Sequence, residues 1–292
     1  MNRNSLQFNV ALVAEKVVSD QGIKQLPVDP IAIAHNLGIE VTPQPVHTRG
    51  VSGMLMRVDS TFGIAYATHI NSIGFKNFSI AHELGHYFLP GHIDAVFSRD
   101  NLHVSKAGFY SEKQYEIEAD LFAARLLMPQ RLFKEAALSV DEGLHEIEEL
   151  SRTCKTSLTA TAIRYAECVE YPMAVIVSVR DKVNYCFMSE PLKEVSYLTW
   201  IRRGQNLPTN TMTFEFNQDS QRVQDAERDA DVSDLQDWFG GDISVQIEEE
   251  VQGLGRYGRT LTILTAPDLF DKIEEIKENE VLYKSWEPKF KL

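Results

Sequence analysis

Ala81-His82-Glu83-Leu84-Gly85-His86 fits the pattern H-E-x-x-H, and the apolar, helix-compatible residues around it predict a helix over 78–89. Residues four apart lie about 40° from each other on a helix surface. His82 and His86 can therefore face one metal ion. Glu83 projects beside that ion without needing to ligate it, where a general base acting on water would sit. The pattern fixes three positions of five, so a solvated helix face carrying two histidines is the alternative. The sharper reading is a zinc peptidase site.

Catalytic zinc takes three protein ligands and keeps one position open. A second helical stretch, Tyr115 to Pro129, offers Glu116 with Asp120 four residues later on the same face. In zinc peptidases with a Glu as third ligand, an Asp so placed accepts from the far nitrogen of a ligand histidine and fixes its tautomer. An ordinary surface acid is the bland reading of Glu116. Two rivals stay open. Glu118 lies about 200° around the helix from Glu116, so only one of them faces the metal. His92 stands six residues after His86, as in H-E-x-x-H-x-x-G-x-x-H, but Leu89 occupies the glycine position and the glycine falls at 91. Zinc suits two histidines and a carboxylate, and manganese or iron would also be accommodated.

Together these residues resemble the ImmA/IrrE family of bacterial zinc metallopeptidases. The matching pieces are Phe78 to His86, and Glu116 to Pro129 with its Phe122-Ala123 and Leu126-Leu127-Met128-Pro129. Leu26 to Val41 is similar to the family's first helix and following strand. The resemblance covers roughly residues 25–135, and Lys76-Asn77 departs from the Arg-rich approach expected there. It implies that His82, His86 and Glu116 hold Zn2+, that Glu83 is the general base, and that the substrate is a helix-turn-helix repressor whose cleavage relieves repression of stress or mobile-element genes. The competing class is a non-catalytic metal-binding module that sequesters a partner or senses a ligand.

The rest of the chain predicts an α+β protein in three parts: a zincin-like metallopeptidase domain (1–135), a helical, helix-turn-helix-like connector (136–169), and an α+β sensor-like domain (170–292), where the IrrE branch of the family places a GAF-like domain. Helices are expected at 9–18 and 29–37, the second capped by Asp29 before Pro30. Strands at 39–41, 53–58 and 63–67 predict a small antiparallel sheet, with 51–58 or 62–67 as the edge that pairs with a substrate backbone. The stretch 91–114 is less regular and long for a loop. Within it and just after it, His103, Tyr110 and Tyr115 are candidates to steady the tetrahedral oxyanion, though each has an ordinary structural reading.

Residues 141–154 and 158–167 read as helices around Lys155-Thr156-Ser157, with Arg152, Lys155 and Arg164 as the basic residues. A DNA-reading helix needs more polar and basic reach than this. Beyond 171 come a hairpin (173–179 with 183–188), helices at 192–202 and 224–239, a second hairpin (243–251 with 260–265) and a closing helix over 267–279. Gly253-Leu254-Gly255 sits between strands, so it is no phosphate loop.

The length of 292 residues and 43% hydrophobic content fit a protein of two or more domains with real cores. Asn9, Glu15 and Lys16 interrupt the start, which argues against a secretory signal, and no apolar run approaches membrane-spanning length. Cys154, Cys168 and Cys186 form no C-x-x-C, and three thiols suit a reducing, cytoplasmic setting. The net charge is −13, concentrated between positions 219 and 250, where eleven acids face Arg222 and Arg228. A solvated face explains this. The alternative is a surface that attracts a basic, DNA-binding partner. Either way the balance opposes nucleic-acid binding by the chain itself. Oligomeric state is not legible.

Overall fold

The computed structural model describes residues 3–44, 50–98, 100–106, 113–138, 143–196, 198–241 and 244–286. It divides into two compact units, Met1–Arg164 and Tyr165–Leu292. Tyr110, Asp141 and Ile243, to which expectations were attached, lie outside the described residues. No described helix is long and apolar enough to cross a membrane.

In the first unit α1 (Arg3–Asp20) and α2 (Pro30–Asn36) precede β1 (Glu40–Gln44) and the hairpin of β2 (Val51–Val58) and β3 (Thr61–Ala67). Then follow α3 (Ile73–Phe88), α4 (His92–Val96), β4 (Leu102–Lys106), α5 (Gln114–Leu127), α6 (Gln130–Ala137), α7 (Leu144–Cys154) and α8 (Leu158–Ala166). Asp29 caps α2 as the sequence predicts, accepting from the Ile31 and Ala32 amides at 2.9 and 3.3 Å, with Pro30 in the first turn. The helix that carries His82 and His86 begins earlier than expected. The Ser72 hydroxyl accepts from the Phe75 amide at 3.3 Å and starts α3 there, and the extended backbone of Leu89 before Pro90 ends it.

The four-stranded sheet has the order β1-β3-β2-β4. It is mixed, not antiparallel as expected, because β1 runs opposite to β2 on the far side of β3 and so lies parallel to β3. Both strands proposed as the free edge are internal. The edges are β1 and β4, and β4 lies within the stretch read as irregular, together with α4. The reason is an inverted face pattern. Leu102 and Val104 are 45% and 40% exposed, while His103 and Ser105 face inward.

Behind the sheet α3 packs on α5, and Ile80, Ala81 and Leu84 of the one and Phe122, Ala123 and Leu126 of the other are all fully buried. Gly85 makes the approach close. A Cβ there would lie 3.1 Å from the Ala119 Cα and 3.2 Å from the Phe122 ring. Gly85→Ala is expected to destabilise the unit, because overpacking costs about 1–3 kcal/mol against a helix-propensity gain of about 1 kcal/mol. A lowered urea midpoint at unchanged slope would report it, and an unchanged or raised midpoint would show that the helices separate freely. The turn between α7 and α8 packs on the start of α3. Asn77 donates to the Lys155 carbonyl at 3.2 Å, and a Cβ on Gly74 would meet Thr156 and Ser157 backbone at 2.7 Å. That turn is therefore covered from within its own unit.

The second unit contains β5 (Met173–Val179), β6 (Lys182–Met188), α9 (Glu190–Glu194), α10 (Met212–Gln218), α11 (Ser220–Gln224), β7 (Arg228–Asp234), α12 (Leu235–Phe239), β8 (Gln246–Gly253), β9 (Thr260–Thr265) and α13 (Leu269–Trp286). Its five-stranded sheet, β6-β5-β9-β8-β7, is antiparallel throughout and compatible with a GAF-like domain. Two expectations are corrected. The helix expected at 192–202 is only the short α9, and most of 224–239 is the edge strand β7 followed by α12. Apolar Ile176, Leu264, Trp238, Phe239 and Leu269 form the core of this unit.

Glu249 is buried in that core as the acceptor that joins three elements. It takes hydrogen bonds from the Thr213 amide (2.6 Å), the Thr213 hydroxyl (2.5 Å), the Trp238 indole (3.3 Å) and the Ser233 hydroxyl. Burial raises its pKa, and these donors pull it back only in part. The folded unit therefore holds the Glu249 proton to higher pH than the unfolded chain does. The resulting stability is full below the unfolded pKa and is lost as pH rises through the folded one. Glu249→Gln, which keeps the shape without the charge, is expected to flatten that loss in urea titrations taken across acid to neutral pH. Identical pH dependence in the two proteins would exclude Glu249 as its source.

Candidate metal centre

His82, Glu83 and His86 come from the buried face of α3, and Glu116 and Asp120 come from the facing turn of α5. Three ligand atoms converge. The Nε2 atoms of His82 and His86 are 3.1 Å apart, and Glu116 Oε2 lies 3.3 Å from the first and 4.0 Å from the second. Ligand atoms held at about 2.0–2.1 Å by a tetrahedral zinc stand about 3.3 Å from one another, so this set fits such an ion. His82 Nδ1 is 2.8 Å from Asp120 Oδ1, the contact that commits Nε2 to the metal side.

A second grouping shares the neighbourhood: Glu83, His86 and His103 also place ligand atoms within 4.8 Å of one another. It is the weaker candidate. It leaves the Asp120-oriented His82 without a purpose and makes Glu83 a ligand. Glu83 is fully buried; neither of its oxygens has a well-aligned hydrogen bond among the described residues, although the neighbouring Ser105 hydroxyl works to lower its pKa. A Cβ on Gly53 of β2 would stand 2.6 Å from Glu83 Oε1, so only glycine leaves room for that carboxylate. Sequence reading missed Gly53, although a lone glycine inside a strand pattern signals a close approach.

The electrostatics suit a cation. Burial opposes a charged His82, yet the carboxylates of Asp120, Glu116 and Glu83 raise its pKa to about 10. Burial, with the neighbouring His82 and His103, pushes His86 down to about 2, so its lone pair is free. Burial works to raise Glu116, and the facing imidazoles of His103 and His82 nevertheless hold it well below the usual carboxylate range. Burial lifts Glu83 above that range. A divalent cation at the convergence would take the place of the His82 proton.

Residues 34–165 match the family described as the IrrE N-terminal-like domain, Peptidase_M78. The first unit carries an ImmA/IrrE-family domain. A solved Mycobacterium tuberculosis transcriptional regulator is similar to the chain with a TM-score of 0.58 and 16% identity, over 88% of this chain and 76% of that one. At that identity the likeness shows the fold. No curated protein matches the chain.

Within the ImmA/IrrE domain the other sequence candidates separate. His103, read as an oxyanion candidate, has Nε2 3.2 Å from Glu116 Oε1, at ion-pair distance but off hydrogen-bond alignment. Tyr115 packs its ring among His86, His92 and His103 at 6.1–6.4 Å between centroids. His92 and Glu118, the rivals for the third ligand, meet each other at 2.9 Å. None of the three cysteines forms a disulfide, and burial raises the Cys154 and Cys186 thiols to about 12, which leaves both in the unreactive thiol form.

Proposed function

We propose that the chain is a zinc-dependent endopeptidase that cuts a specific protein, a helix-turn-helix repressor, and so relieves repression. The observation that carries the reading is Glu83: a fully buried carboxylate with no well-aligned hydrogen bond, beside convergent His82, His86 and Glu116. A purely structural metal site has no use for it. The name of the similar Mycobacterium protein supports a place in transcriptional control.

His82, His86 and Glu116 would hold zinc, which supplies a Lewis acid to polarise the scissile carbonyl and to make water more acidic. Asp120 keeps His82 Nε2 turned to the ligand side. Glu83, its basicity raised by burial, takes a proton from the attacking water and delivers it to the leaving amine as the C–N bond breaks. The strand β4 carries His103 beside Glu116 and is an edge of the sheet among the described residues, the geometry for pairing with an extended substrate segment.

A terminus-labelling survey of the host proteome, with wild type and Glu83→Gln expressed in parallel, tests this. A new N-terminus inside a helix-turn-helix repressor, seen only with wild type, is the expected result. If no Glu83-dependent terminus appears with or without stress, the protein is a metal-binding regulator that acts by sequestration.

A further inference from the structure

We infer that His92 and Glu118 form a hydrogen-bonded relay that sets the tautomer and orientation of the ligand His86, an inference that rests on His82, His86 and Glu116 being the metal ligands. His86 Nδ1 lies 3.2 Å from His92 Nδ1, His92 Nε2 lies 2.9 Å from Glu118 Oε2, and Gln114 Nε2 donates to Glu118 Oε1 at 2.7 Å. His86 is fully buried and His92 is 3% exposed, so water does not compete for the inner links.

The proton inventory closes in one way. To ligate through Nε2, a neutral His86 carries its proton on Nδ1. That proton is donated to His92 Nδ1, which must then be a bare lone pair. The His92 proton therefore sits on Nε2 and is donated to the Glu118 carboxylate. An acceptor at the far end thus dictates the tautomer at the metal, two rings away. The arrangement parallels the other ligand, where Asp120 meets His82 Nδ1 directly at 2.8 Å. Ligand histidines held this way are better oriented and more basic.

The local backbone explains why His92 ends here. Leu89 is extended, Pro90 follows, and Gly91 at φ 78 turns the chain back to start α4. The turn comes two residues later than in H-E-x-x-H-x-x-G-x-x-H. His92 accordingly reaches the back of His86 and makes its contact at Nδ1.

The test is zinc affinity of the full chain, measured by chelator competition, for wild type, His92→Phe, His92→Gln and Glu118→Ala. His92→Phe and Glu118→Ala are each expected to weaken zinc about 10–100-fold. His92→Gln, whose amide oxygen can accept from His86 Nδ1, is expected to recover part of the loss. Combining His92→Phe with Glu118→Ala should add little to His92→Phe alone, since both cut one relay. The visible bands of the cobalt-loaded variants should shift from wild type. Glu118 is less buried than His92, with 16% of its side chain exposed, so its variant keeps the test open if His92→Phe misfolds. Wild-type affinity in Glu118→Ala, or equal losses in His92→Phe and His92→Gln, would overturn the relay and leave His92 as packing. If wild type itself fails to take up zinc, the metal assignment falls, and the relay with it.

Discussion

Glu83→Gln is expected to lower peptide cleavage by about 10²–10⁴-fold, the usual contribution of a positioned acid–base group, while zinc stays bound at wild-type stoichiometry. Glutamine has nearly the volume of glutamate, so it fits against Gly53, where a Cβ would already stand 2.6 Å from the Glu83 carboxylate. It also removes a charge that burial disfavours, so the fold should be no less stable than wild type. Cleavage of the substrate found by terminus labelling, together with metal analysis of the same preparation, gives both readings at once. A variant that cuts at the wild-type rate removes Glu83 as the base. One that loses zinc as well places Glu83 among the ligands.

Glu116→Ala is expected to abolish stoichiometric zinc binding, and cleavage with it. Two histidines from one helix remain, and a catalytic zinc needs a third protein ligand. The outcome also chooses between the two groupings around His86. If the metal sits on His82, His86 and Glu116, the substitution removes an anion from its coordination. If it sits on Glu83, His86 and His103, the metal survives the loss of Glu116. Full zinc occupancy in Glu116→Ala would therefore move the site to the second grouping, and Glu83→Gln would then be the variant that empties it.

Where the buried face is apolar, the sequence is easy to read. The helix bearing His82 and His86, the Asp29 cap of α2 and the β5–β6 hairpin follow from periodicity, capping and alternation. The two strands that escaped notice share one property: their inward residues are polar. In β4 His103 and Ser105 face in and Leu102 and Val104 face out. In β7 Ser233 is turned in to Glu249, while Val232 is 52% exposed. With polar residues turned in, neither segment reads as a strand: 91–114 looks irregular and 224–239 looks helical. Such inversions arise where the protein interior holds a charged group that needs partners. The candidate ligand pair His82 and His86 was legible because i to i+4 spacing on one helix is local. The contacts of Gly53, His92 and His103 depend on which strand and which helix lie beside α3, and no local spacing encodes that.

Helix α5 contributes Glu116 to the metal-ligand cluster, Asp120 to His82 and Glu118, through His92, to His86. All three contacts hang on one rigid rod, seated against α3 at the Gly85 contact. A single residue inserted between Glu116 and Glu118 would rotate everything after it by about 100° and advance it about 1.5 Å. Glu118 and Asp120 would leave their histidines together. Over evolutionary time, then, these positions are free to change only as a group: this helix tolerates neither gain nor loss of length across its acids, and a lineage that suffered one would lose the whole centre in a single event.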